Sequence, residues 1–349
     1  MRTLLLLLLL AGSAWGQRAD KLKKQIQQII GRSEVGICAV SIVHTRSQER
    51  VEIQADQPFP LASVFKVPVM IELARQIQTQ QSPLKLSTKL TVQASDKCIG
   101  SGSLQHKPAG TPVSLQQLVE WMETRSDNTA TDMIFRRIGL ASVDRWMQGI
   151  GCSSSQIFLT NRAAWLISLA KSSDFKGLKP RQIAAKWEKL DPPARVAAAL
   201  RAEQENITLS LRDFQRLEDL SASQNTPSEN VLVATAVDNK ASARDLATVL
   251  EKLYLGQLLD SQWTDFCLGV LGRQTFNTRI PRHLPKEVTV YHKTGTIAGV
   301  VNDIGVIELG PDSGLVVVVL VQQVEKGDEG RAEGLIAEIA RAAYKAYAK

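Results

Sequence analysis

Aromatic residues make up only 5% of this 349-residue chain, and no lysine and arginine run is interleaved with them, which excludes a nucleic-acid module built on stacking and phosphate contacts. Cysteine is sparser still. Cys38, Cys98, Cys152 and Cys267 form no C-x-x-C pair, and His44, His106, His283 and His292 are scattered, so zinc-ligand spacing is missing and neither a metal nor an organic cofactor is implied. If the chain is exported, four cysteines allow three disulfide pairings, with buried free thiols as the equal alternative. No hydrophobic run is long enough to span a bilayer, and the leucines from Leu4 to Leu10 number only seven. Preceded by Arg2 and followed by Ala14-Trp15-Gly16, that run predicts a signal peptide over 1–16, cleaved near Gly16, and a secreted or periplasmic protein over 17–349 with no transmembrane span. No cysteine follows the leucines, which argues against a lipoprotein anchor. The formal charge of +7 is spread without clusters and suits a carboxylate-bearing substrate or anionic envelope material.

The remaining pattern predicts an α/β (α+β) chain with no internal repeat. Residues 19–31 place apolar side chains at 22, 26, 29 and 30 and stop at Gly31, an amphipathic helix. Two strands follow, Val35 to Val43 and Arg50 to Gln54. Three more stand at the other end, Val288 to Tyr291, Gly299 to Leu309 and Gly314 to Val324, before a closing helix from Arg331 to Ala348. Two early and three late strands imply one five-stranded antiparallel sheet built from both ends of the chain, about 17–60 and 285–349, flanked by helices, with an all-helical lobe over about 61–284. Within that lobe, residues 171–230 are more charged. They predict an inserted helical pair, Arg181 to Leu190 and Pro193 to Leu220, with a flexible Ser/Asn/Pro exit and an exposed face for a possible protein partner.

Three short motifs carry chemistry. Ser63-Val64-Phe65-Lys66 opens a helical pattern in which Ser63, Lys66, Val67, Met70, Ala74 and Ile77 share one stripe. A lysine on an apolar stripe has its ammonium disfavoured by desolvation, which suits it to deprotonate a nearby serine. Pro68 places an irregular first turn beside Ser63. Ser126-Asp127-Asn128 stands before an apolar helix: Ser126 offers a hydroxyl for proton relay and Asn128 an amide for Lys66 and a substrate carbonyl, although the same tripeptide also suits an ordinary helix cap. Lys293-Thr294-Gly295-Thr296 follows a predicted strand and presents a cation and hydroxyls, with Gly295 permitting close backbone approach. Singly the motifs are weak. S-x-x-K recurs at Ser82/Lys85, Ser168/Lys171 and Ser173/Lys176, so order and context discriminate.

Through these residues, from about Lys21 to Ala348, the chain resembles class A β-lactamases and their penicillin-binding relatives. The resemblance implies a β-lactamase/transpeptidase-like fold and a serine hydrolase that forms a Ser63 acyl-enzyme. Its substrate is a β-lactam or D-alanyl-peptide-like molecule. In that implied mechanism Lys66 is the base and Ser126 the proton relay. Lys293, Asn128, Thr294, Gly295 and Thr296 hold the substrate, the N–H groups of Ser63 and Thr296 form the oxyanion hole, and Arg279 clamps a carboxylate, with Arg282 its competitor. One departure bears on mechanism. The glutamate that activates the hydrolytic water in class A enzymes falls, aligned on Arg162, at Ala164, and no carboxylate occurs between Asp144 and Asp174. Asp174, Glu188, Glu203 and Glu205 are the substitutes within the insertion. The expected function is therefore β-lactam hydrolysis, with a slowly deacylating D-alanyl carboxypeptidase or a non-turnover β-lactam sensor as alternatives.

Overall fold

The computed structural model describes residues 2–348, with side-chain surroundings from residue 17 onward. The chain opens with one continuous helix, α1 (Arg2–Ser33), so the amphipathic stretch expected at 19–31 is its second half; the side chains of the expected signal peptide lie outside the described ones. Leu22, Ile26 and Ile29 are buried at the predicted spacing. No described helix is long and apolar enough to cross a membrane.

Strands β1 (Ile37–His44) and β2 (Arg50–Ile53) follow. A short β3 (Pro58–Pro60) leads to a 3-10 turn at Ala62–Phe65 and then to α2 (Lys66–Gln78). The strands β4 (Lys89–Thr91) and β5 (Pro112–Ser114) form a small hairpin-like pair before α3 (Leu115–Thr124), α4 (Asn128–Ile138) and α5 (Ser142–Gly149). Next come α6 (Asn161–Ser168), α7 (Pro180–Lys189), α8 (Pro192–Glu205), α9 (Leu211–Gln224) and α10 (Pro227–Ala236). The strand β6 (Lys240–Ser242) pairs with β3, and α11 (Ala243–Tyr254) and α12 (Ser261–Leu271) return the chain to the sheet. Strands β7 (Val290–Ile297), β8 (Val300–Gly310) and β9 (Ser313–Gln322) and helix α13 (Glu329–Tyr347) complete it.

The five main strands form the expected antiparallel sheet in the order β2-β1-β9-β8-β7. Strand alternation sends successive side chains of β9 to opposite faces. Val316, Val318 and Leu320 join the core shared with α2, α4 and α11, whereas Val317, Val319 and Val321 join a second core under α1 and α13. The sheet is thus buried on both sides.

The insertion differs from expectation. The stretch expected as one helix over 193–220 is two, α8 and α9. They are broken at Asn206 to Ser210, where the Ser210 hydroxyl accepts the Asp213 N–H and starts a new helix. The expected flexible exit is helical as well, because Thr226 and Glu229 form a reciprocal capping box with Pro227 in the first turn of α10. These helices bury a third core around Phe175, Trp187, Phe214 and Val233. All four cysteines are buried free thiols.

Candidate active site

Ser63 sits on the 3-10 turn between β3 and α2, seated from both sides. Ala62, just before it, has φ +47°, a left-handed conformation that costs an L-residue about 1–2 kcal/mol. Its N–H is held by the Asp238 carboxylate at 2.7 Å, and burial pushes that carboxyl up to about 7. On the other side β7 lies flush against the turn at Gly295. A Cβ there would stand 2.6 Å from the Leu61 carbonyl oxygen and 3.1 Å from the Ser63 nitrogen. The close approach expected at Gly295 is therefore made by the chain's own Leu61–Ser63 backbone.

Lys66, Val67, Met70 and Ala74 are buried on the stripe that the spacing predicts. Pro68 lies in the first turn of α2, where a missing N–H leaves no helical bond unmade. Lys66 Nζ is 2.8 Å from the Ser126 carbonyl oxygen, 3.2 Å from Ser126 Oγ and 2.8 Å from Asn128 Oδ1. Those contacts use the three donors of an ammonium, and Ser63 Oγ is not among them. Desolvation lowers Lys66 to about 8. The alternatives for Ser126-Asp127-Asn128 resolve by division of labour: Asp127 caps α4 by accepting from Ala130 N–H at 2.9 Å, leaving its two neighbours to face Lys66. Ser126 itself is left-handed at φ +56°. Asn128 Nδ2 donates to the Ile99 carbonyl at 3.0 Å, which fixes the amide with its oxygen toward the lysine.

Lys293, fully buried on β7, approaches the same hydroxyl from the opposite side, with Nζ 3.0 Å from Ser126 Oγ. Burial first and the charge of Lys66 second lower it to about 7. A third titratable group, invisible as such in the sequence, completes this cluster. Glu123, in the last turn of α3, is 1% exposed and neither carboxyl oxygen has a hydrogen-bond partner. Burial raises it to about 7 against the pull of Lys293 and Lys66. Buried cations and a buried carboxyl thus balance one another around Ser126.

Arg279 is buried beneath Thr296. Its Nη1 donates to the Gly295 carbonyl at 2.9 Å and the Asn302 carbonyl at 2.5 Å, Nη2 donates to Thr296 Oγ1 at 2.6 Å, and Nε donates to Glu333 at 3.2 Å. Four of the five guanidinium donors are spent on the protein, so its main place is a support for Thr296. Arg282 is exposed. His292, bonded to Asp303 at 3.0 Å and to Asn277 at 3.1 Å, ties the Arg279 segment to the sheet; Asp303 also accepts the Ile280 N–H. Thr294 is buried, and Thr296 is exposed toward the cleft.

Ser63, Asn128 and Thr296 open into one cavity of about 320 Å³. Asn161 and Ala164 of α6 also line it, and neither supplies a carboxylate. Asn161 is held by Asp132, which accepts from its N–H and its Nδ2 at 2.8 Å each. The substitutes expected within the insertion are occupied elsewhere. Asp174 pairs with Arg201 at 2.7 Å, Glu205 bonds Ser173, and Glu188 is exposed. Glu203 binds Arg136 at 2.8 Å and accepts from the Thr160 hydroxyl, bolting α8 to α4 and α6. The carboxylates that do line the cavity are Asp238 and Glu218. Neither is marked by any local pattern, since each arrives through tertiary packing.

The chain is similar to known proteins over most of its length. Over 337 residues the chain is 23% identical to β-lactamase VEB-1 of Pseudomonas aeruginosa, covering 95% of this chain and 91% of that protein. A β-lactamase crystal structure from Sphaerobacter thermophilus superposes with a TM-score of 0.66 at 24% identity, covering 92% of this chain and 95% of the other. A point mutant of PBP-A, captured as an acyl-enzyme complex with penicillin G, superposes with a TM-score of 0.67 at 23% identity, covering 94% and 96%. The family model for the β-lactamase enzyme family matches residues 21–347, and the chain belongs to that family.

Proposed function

We propose that the protein is an exported serine hydrolase that opens β-lactams through a Ser63 acyl-enzyme and releases the acyl group slowly. The observation that carries this reading is Ser126 Oγ poised between two buried lysines, 3.2 Å from Lys66 Nζ, which lies three residues after Ser63, and 3.0 Å from Lys293 Nζ. Neutral Lys66 takes the Ser63 proton as Oγ forms its bond to the amide carbon. The proton passes to Ser126, whose own proton goes to the nitrogen as the C–N bond breaks. The N–H groups of Ser63 and Thr296 stabilise the oxyanion, and Lys293 with Thr294 and Thr296 faces the carboxylate beside the leaving nitrogen. Hydrolysis then requires a water to attack the acyl carbon and return a proton to Ser63. With Ala164 and Asn161 facing that space, no residue of α6 supplies a carboxylate to activate the water.

That lack favours a second reading, a D-alanyl-peptide carboxypeptidase of the penicillin-binding type, for which a β-lactam is a trapping substrate; acyl-enzyme capture by the PBP-A mutant supports the same chemistry. Export rests on the leucine run at 4–10. The test is to follow a chromogenic cephalosporin and intact protein mass together. Sustained turnover marks a lactamase; a burst of one equivalent with a lasting adduct marks the slow-release form. Ser63→Ala should abolish the adduct while the far-ultraviolet circular dichroism stays unchanged. An adduct that survives in this variant, or maps to Ser82, Ser168 or Ser173, overturns the assignment.

A further inference from the structure

The cavity at Ser63 does not end at the reacting atoms. It runs past Ala164, Trp165 and Leu169 of the α6 region to Ser221, Ala222 and Val233 on the inserted helices α9 and α10. Neither Ser126 nor Lys293 lines it, so this extension leads away from the side on which the leaving nitrogen is protonated and toward the acyl half of a substrate. Its walls carry no lysine or arginine. Two carboxylates line it. The Asp238 carboxylate is turned to the backbone, accepting the Ala62 N–H at 2.7 Å. Glu218 belongs to α9, is half-buried, and receives 2.8 Å from Gln215 Nε2 on one oxygen. Burial and the neighbouring Asp219 raise its carboxyl above the ordinary value, and the lining holds no lysine or arginine to stand beside it.

We infer that the inserted helices build an acyl-side subsite in which Glu218 receives a cation, so that the preferred acyl donor carries an aliphatic chain ending in a primary amine. The apolar walls take the methylenes, and the carboxylate takes the ammonium at the far end. With Lys293 and Thr296 facing the leaving side, the site then selects a molecule that is anionic at one end and cationic at the other. This rests on the Ser63 acyl-enzyme reading and adds to it the chemistry of the acyl group.

The experiment compares acylation rate constants, by intact mass, for three penicillins whose acyl chains are aminohexanoyl, N-acetylated aminohexanoyl and adipoyl. In wild type the amine probe should react about three- to tenfold faster than its acetylated counterpart, the size expected for a partly solvated charge contact. Glu218→Gln should bring that ratio to about one, and Glu218→Lys should shift preference to the adipoyl probe. Each result is a ratio within one variant, so a loss of folded protein cancels. Equal rates in wild type, or a ratio unchanged in Glu218→Gln, overturn the inference while leaving the acyl-enzyme intact. No adduct with any probe overturns both.

Discussion

Around Ser126 the chain keeps two lysines and a glutamate out of water, and their titration ties stability to activity. Lys66 at about 8 and Lys293 at about 7 lie below the ordinary 10.5, with burial the first cause in each. A lysine whose folded pKa is depressed costs stability wherever the unfolded chain is protonated and the folded one is not favoured to be. The cost is full below about pH 7, falls as pH rises, and is gone above about 10.5, amounting to a few kcal/mol. Glu123 has the opposite sense: raised to about 7, it withdraws stability as pH climbs from about 4.5 through 7. Because the base must be neutral, acylation should rise with pH and level off above about 8. Ionised Glu123 favours the ammonium forms of both lysines, so Glu123→Gln should move that rising limb to lower pH by about half a unit to one unit. A pH series of single-turnover acylation checks this, and a limb that stays in place would show that Glu123 does not act on the lysines. Glu123 was illegible in sequence, where a glutamate in a helix's last turn reads as solvated; its meaning comes from the elements folded over it. Lys66 was legible, because its stripe of Val67, Met70 and Ala74 forces it inward.

Among the elements, the sheet could be read from sequence because β9 places consecutive apolar residues on both faces, a pattern that only a strand buried on both sides accommodates. The insertion could not be divided correctly. The break between α8 and α9 depends on one serine cap at Ser210, and the polar run after it looks like linker until the Thr226 and Glu229 cap is formed. The contact between β7 and the Ser63 turn was likewise hidden, since nothing local to Lys293-Thr294-Gly295 names Leu61 as its neighbour. That contact yields a prediction. Gly295→Ala introduces a methyl 2.6 Å from a backbone oxygen that no side-chain rotation can relieve, so strand and turn must separate. The Thr296 and Ser63 N–H groups, proposed above as the oxyanion hole, would then lose their common aim. Acylation should fall by about 10²-fold, the scale associated with a misplacement near one ångström, with about 1–3 kcal/mol of stability lost. Intact-mass kinetics beside a thermal melt check it, and an acylation rate within about twofold of wild type would show that the turn tolerates the shift.

Taken as a whole, the molecule is a sheet and a helical lobe meeting at Ser63, with an extra helical wall on the side where a hydrolytic water would have to be activated. The wall accounts for where the expected carboxylates went. Asp174, Glu203 and Glu205 serve as ties within or beneath the insertion, and at the positions where a base was sought α6 presents Asn161 and Ala164 to the cavity. These two positions are not equivalent places to restore a base. Asn161 donates to Asp132, whose carboxyl burial already pushes up to about 6, so a glutamate there would set two carboxylates against each other. Ala164 lines the same cavity without such a neighbour among its hydrogen-bonded contacts. The wild-type acyl-enzyme should therefore be long-lived, and Ala164→Glu should hasten its hydrolysis by about 10²-fold or more while acylation changes little, as expected for a positioned general base. Asp174→Ala and Glu188→Ala should leave adduct loss unaltered, because one residue is spent on Arg201 and the other points to solvent. Following the adduct by intact mass after a single turnover decides the matter. Rapid loss in wild type, or loss abolished by either alanine variant, would mean that the insertion does deliver a base to the site, and that its wall moves during the reaction.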